Sequence, residues 1–273
     1  MNRYKAKQII SGTISNLLKI AVTAFFIFPF YWMVITSFKT PFEASQFPPT
    51  LWPIDFSIRT YEALLSNLGE TIYLKNSLII VISILIIQLV IMIPAAYAFA
   101  RYKFKGNGLM FGLVTIAFMT PVEVTFLSIY LMFSKAGLIR TLLPQILPFA
   151  ANAFGIFLLR QTFKQVPEEI LESARLDNAG EIKIMTKIML PTALPTIMTI
   201  LVLSFMERWN DYFWPLVMTT TNEVQPLTIL ISQFSGAGPT AMTANCLLML
   251  PSLILFLIAS RQITSAMTYH GVK

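Results

Sequence analysis

Side chains that could do chemistry are concentrated in two short stretches of this sequence. The first stretch contains the charged residues Glu168, Glu169, Glu172, Arg175, Asp177, Glu181, Lys183 and Lys187. The second lies inside the apolar segment 192–213 and contains Glu207, Arg208, Asn210 and Asp211. A charge within an apolar spanning segment costs roughly 2.5–3.5 kcal/mol on insertion scales and marks a solute pathway or an ion pair. The first stretch instead raises the question of what a long charged segment contacts in water.

Common catalytic motifs are absent from the sequence. It contains neither the G-x-x-x-x-G-K-[S/T] loop that cradles phosphates nor the H-E-x-x-H zinc motif. His270 is the single histidine, which leaves no Ser/His/Asp set to assemble, and we expect it to be solvated. Cys246 is the single cysteine, which excludes an internal disulfide and a thiolate metal cluster. The sequence therefore shows no sign that the chain catalyses a reaction by itself.

The composition indicates a membrane protein. Apolar residues make up 56% of the 273 residues and charged residues only 12%, whereas a soluble domain has about 25% charged residues. A helix needs about 20 mostly apolar residues to cross a bilayer. The apolar runs are residues 20–37, 77–100, 109–133, 142–159, 192–213 and 245–259. We therefore predict an all-α membrane protein with six transmembrane helices, the third and fourth of which are interrupted by proline.

The net charge of +7 is explained by where the basic residues lie, and not by nucleic-acid binding. Lysine and arginine are concentrated near the N-terminus, after the second and fourth spans, and near the C-terminus. Because loops rich in these residues stay in the cytoplasm, we predict that both termini and the charged stretch are cytoplasmic. The first span follows a basic region but has no small-residue cleavage site, so we expect it to remain as an anchor.

The charged stretch is predicted to form a helix–turn–helix. Pro167 suits the first position of a helix, which we expect to end at Leu176. The turn 177–180 contains asparagine and glycine, which best tolerate the left-handed conformation that ends helices. In the second helix we expect one apolar face, formed by Ile182, Met185 and Met189 with Ile188 beside them. Pro191 is predicted to mark the start of the fifth span.

The contact partner of this hairpin has two interpretations. An interfacial helix lying on lipid would carry lysine and arginine on its polar face. The first helix instead carries Glu168, Glu169 and Glu172 against Arg175 alone. An acidic face matches a basic groove on a protein better than an anionic lipid surface, and we favour a protein partner.

The same residues resemble the EAA motif of ABC importer permeases, E-A-A-x3-G-x9-I-x-L-P. Residues 172–174 stand at its E-A-A, Asn178 at its glycine and residues 188–191 at its I-x-L-P. Asn178 for glycine and Ser173 for alanine are departures from the pattern. Asparagine is the usual second choice where φ is positive.

Further segments resemble carbohydrate-importer (MalG-like) permeases in the same order along nearly the whole chain. They are FPPTLWP (47–53), AAYAFARYKFKGN (95–107), FLLRQTFKQVPEE (157–169), WNDYFWPL (209–216) and QPLTI (225–229). The resemblance implies that the hairpin is a coupling helix docked in a cleft of a separate cytoplasmic ATPase. ATP and Mg would be used there, and no cofactor is expected on this chain. The residues implied in coupling are Glu169, Glu172, Ser173, Ala174, Asp177, Asn178, Gly180, Ile188, Leu190 and Pro191.

Six residues are candidates for the substrate path. Glu207 and Asp211 are four apart, so we expect them on one helical face, with Arg208 able to reach Asp211. This face either lines the translocation cavity and meets sugar hydroxyls, or forms an ion pair near the outer surface. Asn210 belongs to the same group. Trp209 and the nearby Trp214 either stack on sugar rings or anchor the span at the interface, which is the favoured role.

The other two candidates lie in the third and fourth spans. Glu123 follows Pro121 and lies either in a cavity, where it would accept hydrogen bonds, or, as we favour, solvated at the outer mouth. Asn152 is expected to form a hydrogen bond between helices.

We therefore expect a single permease domain over residues 1–273, with its core at about 70–263 and its coupling loop at 165–191. The expected partners are a homologous permease chain, two ATPase subunits, an extracytoplasmic solute-binding protein and membrane lipid, in a bacterial inner membrane. The outer loops 38–76 and 214–244 are the expected surfaces for the binding protein. Carbohydrate is the expected substrate, with glycerol-3-phosphate or another polyol as the alternative. A self-sufficient secondary transporter would show inverted repeats, which the sequence lacks, and a membrane enzyme would need clustered catalytic residues.

Overall fold

The computed structural model describes residues 3–69, 72–234, 236 and 238–271, and all regular elements in these ranges are helical. The helices are α1 (Arg3–Ser37), α2 (Pro41–Ala44), α3 (Arg59–Gly69), α4 (Ile72–Arg101), α5 (Asn107–Met119), α6 (Val122–Lys135), α7 (Leu143–Ile146), α8 (Ala153–Lys164), α9 (Glu168–Leu176), α10 (Glu181–Ile184), α11 (Leu190–Thr192), α12 (Leu194–Trp209), α13 (Phe213–Met218), α14 (Leu227–Ser232) and α15 (Pro239–Gly271). A π-helical turn covers Met185–Met189, and 3₁₀ turns cover Leu147–Phe149 and Asn222–Val224. The all-α prediction is confirmed over the described ranges, and Cys246 is buried in α15 as expected. The side chain of His270 lies outside the described side chains.

Four segments are long and apolar enough to cross a membrane unaided. They are Gly12–Ser37, Ile72–Arg101, Leu143–Lys164 and Pro239–Ser260. Two bent helix pairs are long and apolar enough only when each pair is taken together: Asn107–Met119 with Val122–Lys135, bent by 96°, and Glu181–Thr192 with Leu194–Trp209, bent by 76°. Counting each bent pair once gives the six predicted spans in the described part of the chain.

The bend in the third span follows from Pro121. The residue before a proline is disfavoured in the helical conformation. Thr120 accordingly adopts φ −83° and ψ 119°, and α5 ends at Met119. A new helix, α6, then starts at Val122.

The predicted start of the fifth span at Pro191 is wrong. The chain remains helical through Pro191 and breaks at Ala193, with φ −97° and ψ 3°, before α12 begins at Leu194. Pro195 explains this position, because it lacks an N–H and its ring would clash with the carbonyl of residue 191 in a continuous helix. In the first turn of α12 that missing N–H has no cost.

The chain forms two compact units, the first comprising Met1–Glu70 with Ile231–Met249 and the second comprising Thr71–Leu230 with Leu250–Lys273. Both stretches of candidate functional residues lie in the second unit. Its core brings α4, α8 and α12 together around buried side chains that include Met92, Leu159 and Ile200. The helices meet closely at Gly155, where an added Cβ would collide with Met92 Sδ and lie 3.2 Å from Ile200 Cγ2.

Within the first unit, the loop after α1 is organised around two buried charges. Lys39 is 2% exposed, and its Nζ donates to Thr50 O at 2.5 Å. Glu43 is 4% exposed, and its Oε1 accepts from Thr50 Oγ1 at 2.7 Å and from Ile54 N at 2.9 Å. Oε2 accepts from Asp55 N at 3.3 Å. Residues 39–55 therefore form a defined structure on the outer side predicted from the sequence.

Candidate functional site

Residues 168–191, here named the charged hairpin, begin with α9. Pro167 precedes the helix, one position earlier than predicted, and Glu168 and Glu169 occupy its first turn. Negative side chains are favourable there because the helix dipole leaves partial positive charge at the N-terminus. The helix ends at Leu176, as the sequence predicted.

The turn of the charged hairpin is a Schellman motif. Asn178 has φ 55°, the left-handed conformation predicted for the position where the EAA motif has glycine. Asn178 N donates to Arg175 O at 3.0 Å, and Ala179 N donates to Ala174 O at 3.0 Å. These two bonds satisfy carbonyls that the end of α9 would otherwise leave unpaired. Gly180 has φ −68° and precedes α10, so the left-handed position belongs to Asn178 and not to this glycine.

One face of the charged hairpin is part of the core of the second unit. Leu171, Ile184 and Met189 are 0% exposed and belong to the same buried cluster as Leu159 and Phe163 of α8. The hairpin is therefore packed against the spanning helices and does not hang from them as a flexible loop.

The predicted apolar face of the second helix is partly wrong. Ile182 is 76% exposed, and Ile184 takes its place in the core. The cause is the π-helical turn Met185–Met189, which adds a residue to one turn and shifts the face presented by the residues on either side. Ile182 and Met189 therefore do not share a face, although an uninterrupted α-helix would align them.

Charged side chains fasten the hairpin to the end of α4. Arg101 Nη1 lies 2.9 Å from Glu168 Oε2, and Arg175 Nη1 lies 3.4 Å from Glu168 Oε1. Arg175 Nε in turn lies 3.1 Å from Glu181 Oε1, and Tyr97 Oη donates to Glu181 Oε2 at 2.5 Å. The network thus joins both helices of the hairpin to the last turn of α4.

Arg101 also joins α4 to the end of α8. Its side chain is 8% exposed, and Nη2 donates to Phe163 O at 2.5 Å and to Val166 O. These carbonyls lie in the last turn of α8 and just beyond it, where a helix leaves acceptors unpaired. One guanidinium thereby links α4, α8 and the hairpin.

The predicted coupling residues divide into two groups. The exposed group consists of Glu169, Glu172, Ser173, Asp177, Asn178, Gly180 and Pro191. The half-buried group, which packs at the buried cluster, consists of Ala174, Ile188 and Leu190. Two apolar side chains lie beside the exposed group: Leu176 is 84% exposed, and Ile182 in α10 is 76% exposed. The hairpin therefore combines a face buried in the unit with an exposed acidic and apolar face, and contact of that face with an ATPase stays a prediction.

The charged group near the end of the fifth span is an ion-paired triad. Arg208 Nη1 donates to Asp211 Oδ2 at 2.8 Å, which confirms the predicted pair, and Arg208 Nη2 donates to Glu207. The Arg208 guanidinium also stacks over the ring of Phe149, 3.8 Å from its centroid. Glu207 and Asp211 do not share a helical face as predicted, because α12 ends at Trp209. Side-chain exposure is 69% for Glu207 but only 17% for Asp211.

The two tryptophans are buried. Trp209 is 2% exposed and stacks on Phe205 with ring centroids 5.5 Å apart. Trp214 is also 2% exposed, and its Nε1 donates to Pro144 O at 2.9 Å. Stacking on a sugar and anchoring at the membrane surface both require an exposed ring, so burial argues against either predicted role.

Asn210 closes the C-terminal end of α12. Its Nδ2 donates to Met206 O at 2.7 Å and to Ser252 Oγ at 3.4 Å. The amide therefore caps the helix and reaches α15, which is a structural function.

Asn152 and Glu207 lie on one cavity of about 200 Å³ within the second unit. Gln88, Ser204 and Arg208 share its wall. Asn152 Nδ2 donates to Ser204 Oγ at 3.0 Å and to Gln88 Oε1 at 3.4 Å, which confirms the predicted interhelical hydrogen bond. The cavity therefore presents neutral hydrogen-bonding groups beside the ion-paired triad.

Glu123 lies apart from this cavity. It is exposed in the first turn of α6 and is not among the residues that line the cavity.

Sequence reasoning missed Tyr97, Arg101, Gln88 and Ser204. From the sequence, Arg101 is only one of the basic residues whose distribution predicts the orientation of the chain. Gln88 is an amide in the middle of an apolar run, which is the signal that could have drawn attention to it, since polar groups within spans pair with other helices. Ser204 gives no such signal, because serine is common inside spanning helices.

Comparison with known proteins gives a consistent result. Residues 92–269 match the family model described as binding-protein-dependent transport system inner membrane component. The sn-glycerol-3-phosphate transport system permease protein UgpE of Brucella abortus (strain 2308) is 31% identical over 229 residues, covering 81% of this chain and 80% of that protein. The arabinooligosaccharides transport system permease protein AraQ of Bacillus subtilis (strain 168) is 29% identical over 274 residues, covering 94% of this chain and 97% of that protein.

A solved structure shows the same fold. A chain of a bacterial ABC transporter involved in the import of the acidic polysaccharide alginate superposes with a TM-score of 0.85 at 20% identity, covering 96% of this chain and 99% of that chain. At this identity the likeness concerns the fold alone.

Proposed function

The chain belongs to the family of binding-protein-dependent transport system inner membrane components, and we propose that it is the permease subunit of an ATP-driven carbohydrate importer. The observation that carries this proposal is the construction of the charged hairpin. Leu171, Ile184 and Met189 fix it in the core, while Glu172 and Leu176 face outward. Because the hairpin is packed rigidly against the spanning helices, it can transmit the movement of a protein bound to its exposed face to those helices.

Carbohydrate is supported by the chemistry of the cavity. Gln88, Asn152 and Ser204 are neutral groups that can donate and accept hydrogen bonds, as sugar hydroxyls require. Arg208, the cation on the cavity wall, is already paired with Glu207 and Asp211. The name of the Bacillus relative, an arabinooligosaccharide permease, agrees with an oligosaccharide.

Glycerol-3-phosphate is the second candidate, because the Brucella relative is named for it. A phosphate would be expected to need a cation that is not already neutralised. Uptake of labelled glycerol-3-phosphate and of an arabinooligosaccharide by the assembled transporter separates the two substrates directly.

The proposed assembly contains a second homologous permease chain, two ATPase subunits that bind ATP and Mg, and an extracytoplasmic binding protein. No cofactor is proposed on this chain, which would have no catalytic role of its own. The chain is a multi-pass membrane protein, and we place it in a bacterial inner membrane with both termini cytoplasmic. The outer loops 38–76 and 214–244 remain the proposed surfaces for the binding protein.

Glu172→Lys tests the coupling function of the hairpin. Glu172 is exposed, so the substitution leaves the core unchanged but reverses a charge on the proposed docking face. We expect ATP-driven uptake by the purified complex in proteoliposomes to fall at least about tenfold, since a misplaced charge at an interface costs several kcal/mol. Lys135→Glu, a charge reversal at the exposed last residue of α6, lies outside both proposed contact surfaces, serves as the control and should retain uptake.

An insertion of one glycine after Gly180 tests the same proposal through geometry. It would lengthen the turn and misalign α10 with the core, and we expect uptake to be lost. Unaltered uptake after both changes would show that the hairpin is not the coupling element. Solute movement by the chain without ATPase subunits and ATP would instead identify a secondary transporter.

A further inference from the structure

Two cavities of the second unit adjoin each other beside α8. The first is the cavity of about 200 Å³ that contains Asn152 and Glu207, and the second has a volume of about 400 Å³. The wall residues that both cavities share are Phe118, Asn152, Phe154, Ser204 and Glu207. Polar groups and two aromatic rings therefore line the same space. We name the two cavities together the joint cavity.

The joint cavity lies where the fourth span is not helical. The segment Leu143–Lys164 is long enough to cross the membrane, but the chain leaves the helical conformation at residues 150–152. Gln88 Nε2, from the middle of α4, donates to Phe149 O at 2.9 Å, which places this break near the middle of a spanning helix. At such a depth, non-helical backbone occurs only where it is buried in protein or lines a water-filled cavity. Ala151 is exposed and lines the joint cavity, which indicates that the cavity opens to water.

Glu207 supports the same orientation and indicates the class of ligand. Its side chain is 69% exposed, and an exposed carboxylate facing hydrocarbon would be costly. Arg208, the cation on the wall, is already paired with Glu207 and Asp211. The joint cavity therefore offers no unpaired cation, among the residues that line it, to bind an anion. A neutral ligand rich in hydroxyls can donate to Glu207 and can both donate to and accept from neutral polar groups.

Phe118 gives the joint cavity an accessible aromatic face. The residue is 46% exposed, although its ring is held by neighbours, with its centroid 5.2 Å from that of Phe154 and 6.4 Å from that of Phe157. A sugar ring carries C–H groups on its faces and hydroxyls around its edge, so it is matched by an apolar plane with hydrogen-bonding groups beside it. Ligand pockets commonly combine aromatic walls with a few polar groups in this way.

We propose that Phe118 is a specificity-determining residue of the transporter, against which one ring of a neutral sugar lies during passage. The hydroxyls of that ring would contact Asn152, Ser204 and Glu207. The inference rests on the proposed carbohydrate function and adds the place where this chain holds the sugar. A sugar held near the middle of the spans is less free to return while the pore changes state, so loss of the ring should lower the amount of sugar carried per ATP.

Phe118→Leu tests the proposal in the assembled transporter, reconstituted in proteoliposomes with its ATPase subunits and binding protein. The probes are labelled arabinotriose, maltotriose and cellobiose, and uptake is measured together with ATP hydrolysis. For each probe that wild type transports, we expect Phe118→Leu to lower the sugar carried per ATP by about fivefold, because it removes an aromatic contact. ATP hydrolysis stimulated by the binding protein should stay as in wild type. Phe118→Tyr, which keeps the planar ring, should retain the wild-type ratio.

Phe256→Leu is the matched control, because Phe256 is 47% exposed in α15 and lines neither part of the joint cavity. Wild-type uptake of none of the three probes would overturn the proposed carbohydrate function and this inference with it. Equal sugar per ATP for Phe118→Leu and Phe256→Leu, in a transporter that carries a probe, would overturn this inference alone.

A structural role for Phe118 would give different results. If uptake and ATP hydrolysis fall together in Phe118→Leu, the ring stabilises the protein and does not hold the sugar, which would overturn the proposal. Loss of the second permease chain from the purified Phe118→Leu complex would identify the ring as a subunit contact and would overturn it as well.

Discussion

At the scale of single residues, Asn178 is the residue whose conformation depends most directly on its identity. It is the one non-glycine residue with positive φ in the described part of the chain, and it is exposed. A β-branched residue in the left-handed conformation costs about 1–2 kcal/mol, whereas glycine has no such cost. We therefore predict that Asn178→Val lowers the Tm of the purified protein by roughly 2–8 °C and reduces uptake, and that Asn178→Gly does neither.

The control for Asn178→Val is Leu176→Val, which places the same side chain at an exposed helical position. It should leave Tm nearly unchanged. Equal Tm values for Asn178→Val and Leu176→Val would show that the turn carries no conformational constraint.

Arg101 joins three elements through one guanidinium, and its removal should affect both stability and coupling. Arg101→Gln would leave the carbonyls of Phe163 and Val166 without their donor and Glu168 without one of its cations. A buried group that loses its hydrogen-bond partner costs about 1–3 kcal/mol. We expect a lower Tm and less solute transported per ATP hydrolysed.

Arg140→Gln is the matched control for Arg101, since Arg140 is exposed and its loss removes the same charge. If Arg101→Gln transports as much solute per ATP as Arg140→Gln does, the ion-pair network does not contribute to coupling.

At the scale of elements, the absence of a side chain at Gly155 allows α8 to pack closely against α4 and α12. A Cβ at this position would collide with Met92 Sδ, the flexible part of a side chain, and would press on Ile200. Overpacking of a core typically costs about 1–3 kcal/mol. We predict that Gly155→Val lowers Tm more than Gly155→Ala does.

Shortening Met92 tests whether this contact is the cause. Met92→Ala should partly restore the Tm of Gly155→Ala, because it removes the colliding atom, although it destabilises the protein by itself. A simple sum of the two losses in the double variant would contradict the explanation.

The loop 39–55 should respond to pH through Glu43. Burial alone would raise the pKa of Glu43, but hydrogen bonds from Thr50, Ile54 and Asp55, together with the Lys39 ammonium, hold that pKa below its ordinary value. A carboxylate with a lowered pKa in the folded state stabilises the fold above its unfolded pKa of about 4.3, and this stabilisation is lost as pH falls through the folded value.

We therefore predict that cleavage of residues 39–55 by an acid-active protease, measured against pH, rises as Glu43 becomes protonated. Glu43→Gln should already be cleaved more readily at the upper end of the protease's pH range, and its cleavage should change less with pH. A wild-type profile as flat as that of Glu43→Gln would show that Glu43 does not hold this loop.

At the scale of the whole molecule, the orientation of the chain can be measured because Cys246 is its single cysteine and is buried. In a Cys246→Ala background, Glu172→Cys places one thiol on the hairpin, and Phe47→Cys places one in the loop 39–55, where Phe47 is 94% exposed. A membrane-impermeant maleimide should label Phe47→Cys in spheroplasts, and Glu172→Cys only in inverted vesicles prepared without the ATPase subunits that are proposed to cover it. Labelling of Glu172→Cys in spheroplasts would reverse the predicted orientation.

The sequence by itself determined the helical class, the four to six membrane-spanning segments and the hairpin with its left-handed Asn178. These features depend on the length of apolar runs and on residues that are neighbours along the chain. It also predicted the Arg208–Asp211 pair, because these residues are only three apart in the sequence. It predicted the interhelical hydrogen bond of Asn152 because an amide within an apolar span needs a partner on another helix.

The tertiary structure decided which partners these residues have. Arg101 meets Glu168, Gln88 meets Asn152, and Trp214 donates to Pro144, across separations in sequence that no local pattern encodes. The burial of Trp209 and the exposure of Ile182 likewise depend on neighbours from other helices and on one π-helical turn. Conformational propensity and residue spacing act over a few neighbouring residues, so the sequence predicts local features. The burial of a side chain depends instead on residues that the fold brings next to it from distant parts of the sequence, so burial and partners are decided only by the tertiary structure.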